Sequence, residues 1–232
     1  MGGRFEIHFS GRWRKAEVHV RHSARGTAWP EALARQAEQF WQQALQSEKK
    51  LFNGQLVSLH DARQNGNALV LRTDQTCYRD QLFSNEKIAV WQANGASHLA
   101  ARGLGISTVV ETADGQVVMI RRSEKVSGHA GFLDVIGGHV HPVEHAPDGE
   151  TPDVFFAIED EVRSELGVLV DRITETVCIG LLENSEWRKP ELVFVSRLEL
   201  TCADIVAFSK QAEERFEYSE ISTIPTTVRG VT

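Results

Sequence analysis

The sequence predicts an α+β fold, a mixed β-sheet and α-helix sandwich with an N-terminal α/β extension. Three observations point there. Asn65-Gly66 and Asp114-Gly115 each sit between runs of β-forming residues, a strong hairpin signal. Apolar residues recur at three and four positions in the segments 33–45 and 155–166, the mark of amphipathic helices. Strands and helices then follow in a mixed order, unlike the regular alternation of a doubly wound parallel sheet. The expected division is an N-terminal α/β region, 1–103, forming one wall of a substrate pocket, and a main domain, 104–232.

Taken in order, Phe5–Phe9 and Ala16–His22 alternate apolar and polar residues with a strand's period of two, and Ser10-Gly11 reads as a hairpin turn between them. Pro30 opens a helix whose apolar face carries Leu33, Ala37, Phe40, Trp41, Ala44 and Leu45; Phe52-Asn53-Gly54 ends it. Leu56–Thr73 folds back about Asn65-Gly66. A helical reading runs from Ser84 towards Arg102. Gly105–Ser123 forms a second hairpin about Asp114-Gly115, and Phe132–His139 is a short strand running into glycines. Asp153–Leu166 is a helix stopped by Gly167. Val177–Asn184 and Glu191–Leu200 are strands, and Ala203–Glu214 is a final helix.

Composition narrows the function classes. The chain has 232 residues, is 41% hydrophobic and carries a net charge of −7. No basic excess suggests a nucleic-acid surface. Three widely spaced cysteines, Cys77, Cys178 and Cys202, argue against a disulfide framework or a structural zinc site. No apolar run approaches the roughly 18 residues of a membrane span. The polar start lacks a signal-peptide core, and Glu6 spoils Met1-Gly2-Gly3 as an acylation signal. These features predict a cytoplasmic protein with neither nucleic acid nor membrane as partner.

The chemistry concentrates between Gly131 and Val168. Phe155, Ile158, Val162 and Leu166 would face a core. Glu161 and Glu165, four apart, project from one face of the same helix. Taken alone, such a pair is a solvated acidic face beside Arg163 and Arg172; with a divalent cation between them it becomes a metal site. The preceding Gly137-Gly138 lets backbone approach a ligand closely. Histidines 129, 139, 141 and 145 lack the converging, fixed-spacing pattern of a zinc centre; His141 and His145 read as solvated loop residues.

Together the glycines and the acidic helix resemble the Nudix box, Gly-x5-Glu-x7-Arg-Glu-aliphatic-x-Glu-Glu-x-Gly-aliphatic. Glu161, Glu165, Gly167 and Val168 match its tail. Asp160 replaces the Arg and Ser164 the middle Glu; counting back from the tail, Pro152 stands where the first Glu belongs. The wider series Thr76-Cys77-Tyr78-Arg79-Asp80, Asn85, Gly103-Leu104-Gly105, Thr112-Ala113-Asp114, Arg121-Arg122-Ser123 and Gly131–His139 is similar to the UDP-glucose diphosphatase branch of the Nudix hydrolases, over about 56–200.

That resemblance implies a Nudix-type sandwich and Mg²⁺-dependent cleavage of UDP-sugars, UDP-glucose or UDP-galactose giving UMP and the sugar 1-phosphate. Mg²⁺, with Mn²⁺ able to substitute, is assigned to Glu161 and Glu165, with Gly138 among the metal-site positions. Glu161, Glu165 and Glu183 are the candidates for general base. One of Arg121 and Arg122 is expected to grip phosphate. Tyr78, Arg79, Asp80, Asn85, Asp134, His139, Glu183 and Asn184 complete the expected substrate contacts, His139 orienting phosphate or water. Trp187 either stacks on uracil or packs on its neighbours. Another nucleoside diphosphate such as ADP-ribose, or a Nudix-fold binding protein with weak turnover, are the competing readings. The partner is a small nucleotide sugar, and a homodimer is left open.

Overall fold

A computed structural model describes residues 5–47, 51–123 and 131–226. The start at Met1-Gly2-Gly3 and His129 lie outside the described residues. Strand β1 (Phe5–Trp13) is followed by β2 (Val18–His22), helix α1 (Glu31–Ser47), the pair β3 (Gln55–Asn65) and β4 (Ala68–Cys77), and α2 (Tyr78–Ala93). Then come β5 (Gly105–Glu111), β6 (Gln116–Arg122), the short β7 (Leu133–Asp134) and β8 (Ile136–His139), α3 (Val154–Leu166), β9 (Ile173–Asn184), β10 (Lys189–Leu198), α4 (Cys202–Phe208) and β11 (Tyr218–Pro225). No described helix is long and apolar enough to cross a membrane.

The large sheet runs β1-β9-β10-β5-β6-β11, with β8 paired to β5 and β7 to β6; β2-β4-β3 form a second sheet. Among the described strands, the β10–β5 pair of the first sheet and the β2–β4 pair of the second are parallel. β5 and β6 pair only at Val110↔Val118 and Glu111↔Val117. Beyond that they part, and β8 takes the freed edge of β5, His139 opposite Gly105 and Ile136 opposite Thr108. This split brings Gly137-Gly138 up to the helical layer.

Helix α3 follows from its sequence. The Asp153 carboxylate accepts the N–H groups of Phe155 and Phe156, capping the first turn. Gly167, at φ 68°, closes the last turn in the left-handed region. Phe155 and Ile158 join a core cluster with Trp13, Leu59, Leu71, Leu104, Ile106 and Phe194; Val162 and Leu166 join another with Val110, Ile120, Ile136 and Tyr218. Burying such side chains contributes about 1.5–3 kcal/mol each, so the helix is held along its whole length. The first cluster takes residues from both sides of position 103, and β1 pairs with β9.

Three local expectations change. Ser10-Gly11 is no turn: β1 runs through it with a register shift, and Trp13 lays its indole against Gly11, where a Cβ would sit 2.6 Å from the ring. β1 and β2 therefore enter different sheets. Helix α2 begins at Tyr78 rather than Ser84, because its buried side includes the polar Asp80, Gln81 and Ser84, which blurs the apolar stripe. The last helix stops at Phe208, and the chain returns as β11 along β6.

Candidate active site

The face of α3 that carries Glu161 and Glu165 lies against β8. Gly137 N–H donates to Glu165 Oε1 at 3.0 Å, and the His139 backbone N–H donates to the Glu161 carboxylate. The strand thus supplies its amides while the helix supplies the acids. Glu165 is 1% exposed, which rules out a merely solvated acidic face. Its Oε2 is buried and has no hydrogen-bond partner. Leaving such an oxygen unpaired is costly unless a proton or a cation occupies it.

Electrostatics agree with that geometry. Burial, then the charge on Glu161, pushes the Glu165 carboxyl up to about 9, against the Gly137 amide. Burial, then Glu214 and Glu217, pushes Glu161 up to about 8. Glu217 is itself raised by burial and by Glu214, while Arg122 opposes the rise. Glu214 and Glu217 come from the segment before β11, which no box motif marks. Glu214 N–H donates to the Ser164 carbonyl at 2.9 Å, and Ser164 Oγ donates to Glu214 Oε2 at 3.2 Å.

Two departures from the box acquire roles. Asp160, where the box has Arg, accepts from Arg163 Nε at 2.8 Å and lies 3.9 Å from His145 Nε2. His145 is buried, not a solvated loop residue, because its Nδ1 accepts the His141 N–H at 2.9 Å. His141 Nδ1 in turn accepts the N–H groups of Val143 and Glu144. Counted forward from Gly138, Glu144 falls at the opening spacing of the box, so the loop that follows it is the interruption. Glu144 is exposed.

The other expected residues divide by location. Arg122 lies near Glu217 and 3.6 Å from Asp134, which also accepts the Val135 N–H. Arg121 turns outward to the Gly131 carbonyl and Glu220. The His139 ring is half-buried, its Nε2 sealed from solvent without a partner; burial, with Lys189 nearby, pushes the imidazole down to about 3, so it is neutral.

Tyr78, Arg79, Asp80 and Asn85 serve the joint between helices. Tyr78 meets Trp41 edge-on, and Arg79 bridges Glu38 of α1 and Asp80 at 2.8 Å each. Asn85 accepts from Gln81, whose Oε1 receives the Gly103 N–H at 2.6 Å, so α2 fixes the entry to β5.

Glu183 is not a free base. It is 2% exposed and ion-paired with Arg102 and with Arg188, the latter at 2.5 Å. Among the described residues, these two arginines are the non-glycine positions with positive φ, 53° and 55°. Asn184 caps the following turn by accepting the N–H groups of Glu186 and Trp187, and Trp187 packs on the aromatic cluster of α1 and α2.

No three His, Cys, Asp or Glu side chains among the described residues form a group arranged to hold a metal. A cation nevertheless fits the Glu161–Glu165 pair, on the evidence of the unpartnered Glu165 Oε2 and the close approach that Gly138 permits.

A split sheet whose glycine strand backs a helix with paired glutamates makes this an α+β protein. The chain resembles the Nudix hydrolases of the UDP-sugar branch. It is 27% identical over 168 residues to human uridine diphosphate glucose pyrophosphatase NUDT22, covering 62% of this chain and 55% of that protein. The Bos taurus protein of the same name is 29% identical over 169 residues, covering 62% and 58%. Nudix hydrolase 9 of Arabidopsis thaliana is 26% identical over 217 residues, covering 80% and 70%. The chain thus spans just over half the length of the two pyrophosphatases. No family model matches it. Among solved structures, the MutT protein of Methanosarcina mazei Go1 is 21% identical with a TM-score of 0.29, over 51% of this chain and 73% of that one. Protein DR0079 of Deinococcus radiodurans is 25% identical with a TM-score of 0.33, over 42% and 57%.

Proposed function

We propose that this chain hydrolyses the diphosphate of a UDP-sugar, UDP-glucose or UDP-galactose, to UMP and the sugar 1-phosphate, with Mg²⁺ held by Glu161 and Glu165. The observation that carries this reading is the buried, unpartnered Glu165 Oε2 beside Glu161, both fixed by the backbone of β8. When bound, the cation supplies neutralisation of the diphosphate and activation of a water.

The chain's own groups prepare the place. The amides of Gly137 and His139 hold the two carboxylates in position before any substrate arrives. Arg122, on the site side of β6, is the cation best placed for an anionic oxygen of the diphosphate. Neutral His139 adds no charge of its own. The names of the pyrophosphatase relatives favour a uridine nucleotide. A panel of nucleotide sugars assayed with Mg²⁺ for UMP release tests the reading, with ADP-ribose alongside. If ADP-ribose is cleaved faster than both UDP-sugars, the substrate assignment is wrong.

A further inference from the structure

The face of the large sheet turned away from α3 carries a second polar group. Register sets Glu191 of β10, Gly105 of β5 and His139 of β8 side by side. Gly138, the residue before His139, faces Glu161 on α3, so the His139 side chain and its neighbours in the row point the other way. Lys189 lies two residues before Glu191 and shares that face. Gly105 has no side chain, and Lys189 and Glu191 lean across the space it leaves. A Cβ there would meet Lys189 Cε and Nζ at 3.0 Å and Glu191 Oε2 at 3.2 Å.

The two head groups do not complete each other. Lys189 Nζ and Glu191 Oε2 are 3.8 Å apart, an ion pair too long for a hydrogen bond. Both side chains are mostly covered, at 24% and 28% exposure, so water satisfies them only in part. In the same row His139 Nε2 is buried and has no hydrogen-bond partner. A donor, an acceptor and an unsatisfied imidazole nitrogen thus stand around one glycine. The lysine and glutamate charges cancel, and Glu191 would repel a phosphate held by Lys189. The group that fits is neutral and carries donors and acceptors on adjacent atoms.

We propose that Lys189 and Glu191 bind a vicinal diol of the nucleotide sugar, the ammonium donating to one hydroxyl oxygen and the carboxylate accepting the proton of its neighbour. A gap of 3.8 Å is one that two hydroxyls on adjacent carbons can bridge. The assignment rests on the UDP-sugar reading above and deepens it by naming residues that choose the substrate. His139 joins this place to the carboxylate pair. Its backbone N–H holds Glu161, while its ring stands in the row beside Gly105. Ribose and hexose both carry such a diol, and the test separates them.

Specificity constants are measured on the whole protein with Mg²⁺ for UDP-glucose and three analogues. The 2′-deoxyribose analogue of UDP-glucose breaks the ribose diol, UDP-2-deoxyglucose removes one hexose hydroxyl, and UDP-galactose inverts another. The variants are Lys189→Met and Glu191→Gln, both close in shape to the original side chains, and unfolding midpoints check that each folds. Each should lose about ten- to hundredfold in kcat/KM on UDP-glucose, as for a hydrogen bond to a charged group. The analogue whose change touches the diol should lose as much with the original protein. On that analogue the variants should then lose no more than about threefold further, because the contact is already gone. Overlap on the 2′-deoxyribose analogue assigns the ribose, and overlap on a hexose analogue assigns the sugar. If the losses multiply on all three analogues, or if both variants stay within about threefold on UDP-glucose, Lys189 and Glu191 do not bind the diol and the UDP-sugar reading stands. If the original protein cleaves no nucleotide sugar, that reading fails and this inference falls with it.

Discussion

A side chain at position 138 would strike Glu161: a Cβ on Gly138 would lie 2.1 Å from Glu161 Oε1. The neighbouring glycine is required for a different reason. A Cβ on Gly137 would lie 2.3 Å from the Ile106 carbonyl oxygen and 2.9 Å from Ser107 Cα, both backbone atoms of β5.

The two alanine variants should therefore fail in different ways. In Gly138→Ala the flexible Glu161 carboxylate can move aside, so folding survives while the Glu161–Glu165 pair is misplaced. A displacement of about 1 Å at a reacting centre can cost on the order of 10²-fold in kcat/KM. In Gly137→Ala a strand must shift, with a stability loss of about 1–3 kcal/mol. Unfolding midpoints and kcat/KM, measured on both variants, check this. If both lose stability equally and keep activity, Glu161 is not positioned by Gly138.

What could be read in advance was local. The apolar stripe and acidic face of α3, its end at Gly167 and the two glycine hairpins all lie within a few residues of their causes. The rest depends on distant partners. Glu183 looked available as a base because Arg102, which neutralises it, lies 81 positions away. Glu213-Glu214 read as the end of a helix, and only the return of β11 brings Glu214 to Ser164. Tyr78-Arg79-Asp80 is expected to contact substrate, yet Gly54 O receives the Tyr78 N–H and Asn53 Oδ1 the Arg79 N–H, where α2 starts. A side chain's availability depends on the fold around it, which a motif does not report.

Removing the buried acid should abolish activity without harming the fold. Glu165→Gln leaves an oxygen for the Gly137 N–H but no charge for a cation. Turnover with saturating Mg²⁺ should disappear while the unfolding midpoint is kept. Activity within about threefold of the original would remove Glu165 from the metal site.

The same residue sets a pH dependence. Without metal, the folded state holds the Glu165 proton up to about 9, whereas an ordinary glutamate releases it near 4.5. Between those values the folded protein binds more protons than the unfolded chain, so stability falls as pH rises. The contribution is fully present below 4.5 and lost as pH passes about 9. Glu161 acts in the same direction up to about 8. Mg²⁺ should reverse the trend, since it favours the ionised pair and its stabilising effect grows with pH. Midpoints measured across this window with chelator and with Mg²⁺ should diverge, and Glu165→Gln should flatten the chelator curve. Parallel curves would contradict the assignment.

Arginine should matter at 122 and not at 121. Arg122 lies beside Glu217 and Asp134, whereas Arg121 is exposed and turned to Gly131 and Glu220. Loss of a charge-assisted phosphate contact costs about 1.5–3 kcal/mol, roughly ten- to hundredfold in binding. Arg122→Ala should show that loss for UDP-glucose, UDP-galactose and ADP-ribose alike, because a phosphate contact does not read the base. Arg121→Ala should stay within about threefold, as an exposed surface pair contributes little. The opposite ranking would place the diphosphate on the other side of β6.

Glu183 should prove to be a structural carboxylate. Its charge is buried at 2% exposure between Arg102 and Arg188, which are held in left-handed backbone conformations. Maintaining such conformations costs on the order of 1–3 kcal/mol each, so the ion pairs must help to impose them. Glu183→Ala would leave two guanidiniums without their counter-charge, and breaking a buried pair in this way typically costs about 3–5 kcal/mol. The unfolding midpoint should fall clearly, while the protein that remains folded keeps kcat within about tenfold and an unshifted pH–rate profile. Glu183→Gln, closer in shape, should fall less in midpoint and keep the same profile. If the Gln variant instead keeps its midpoint but loses about 10²–10⁴-fold in kcat together with the acidic limb of the profile, Glu183 is the proton acceptor and the arginines tune it.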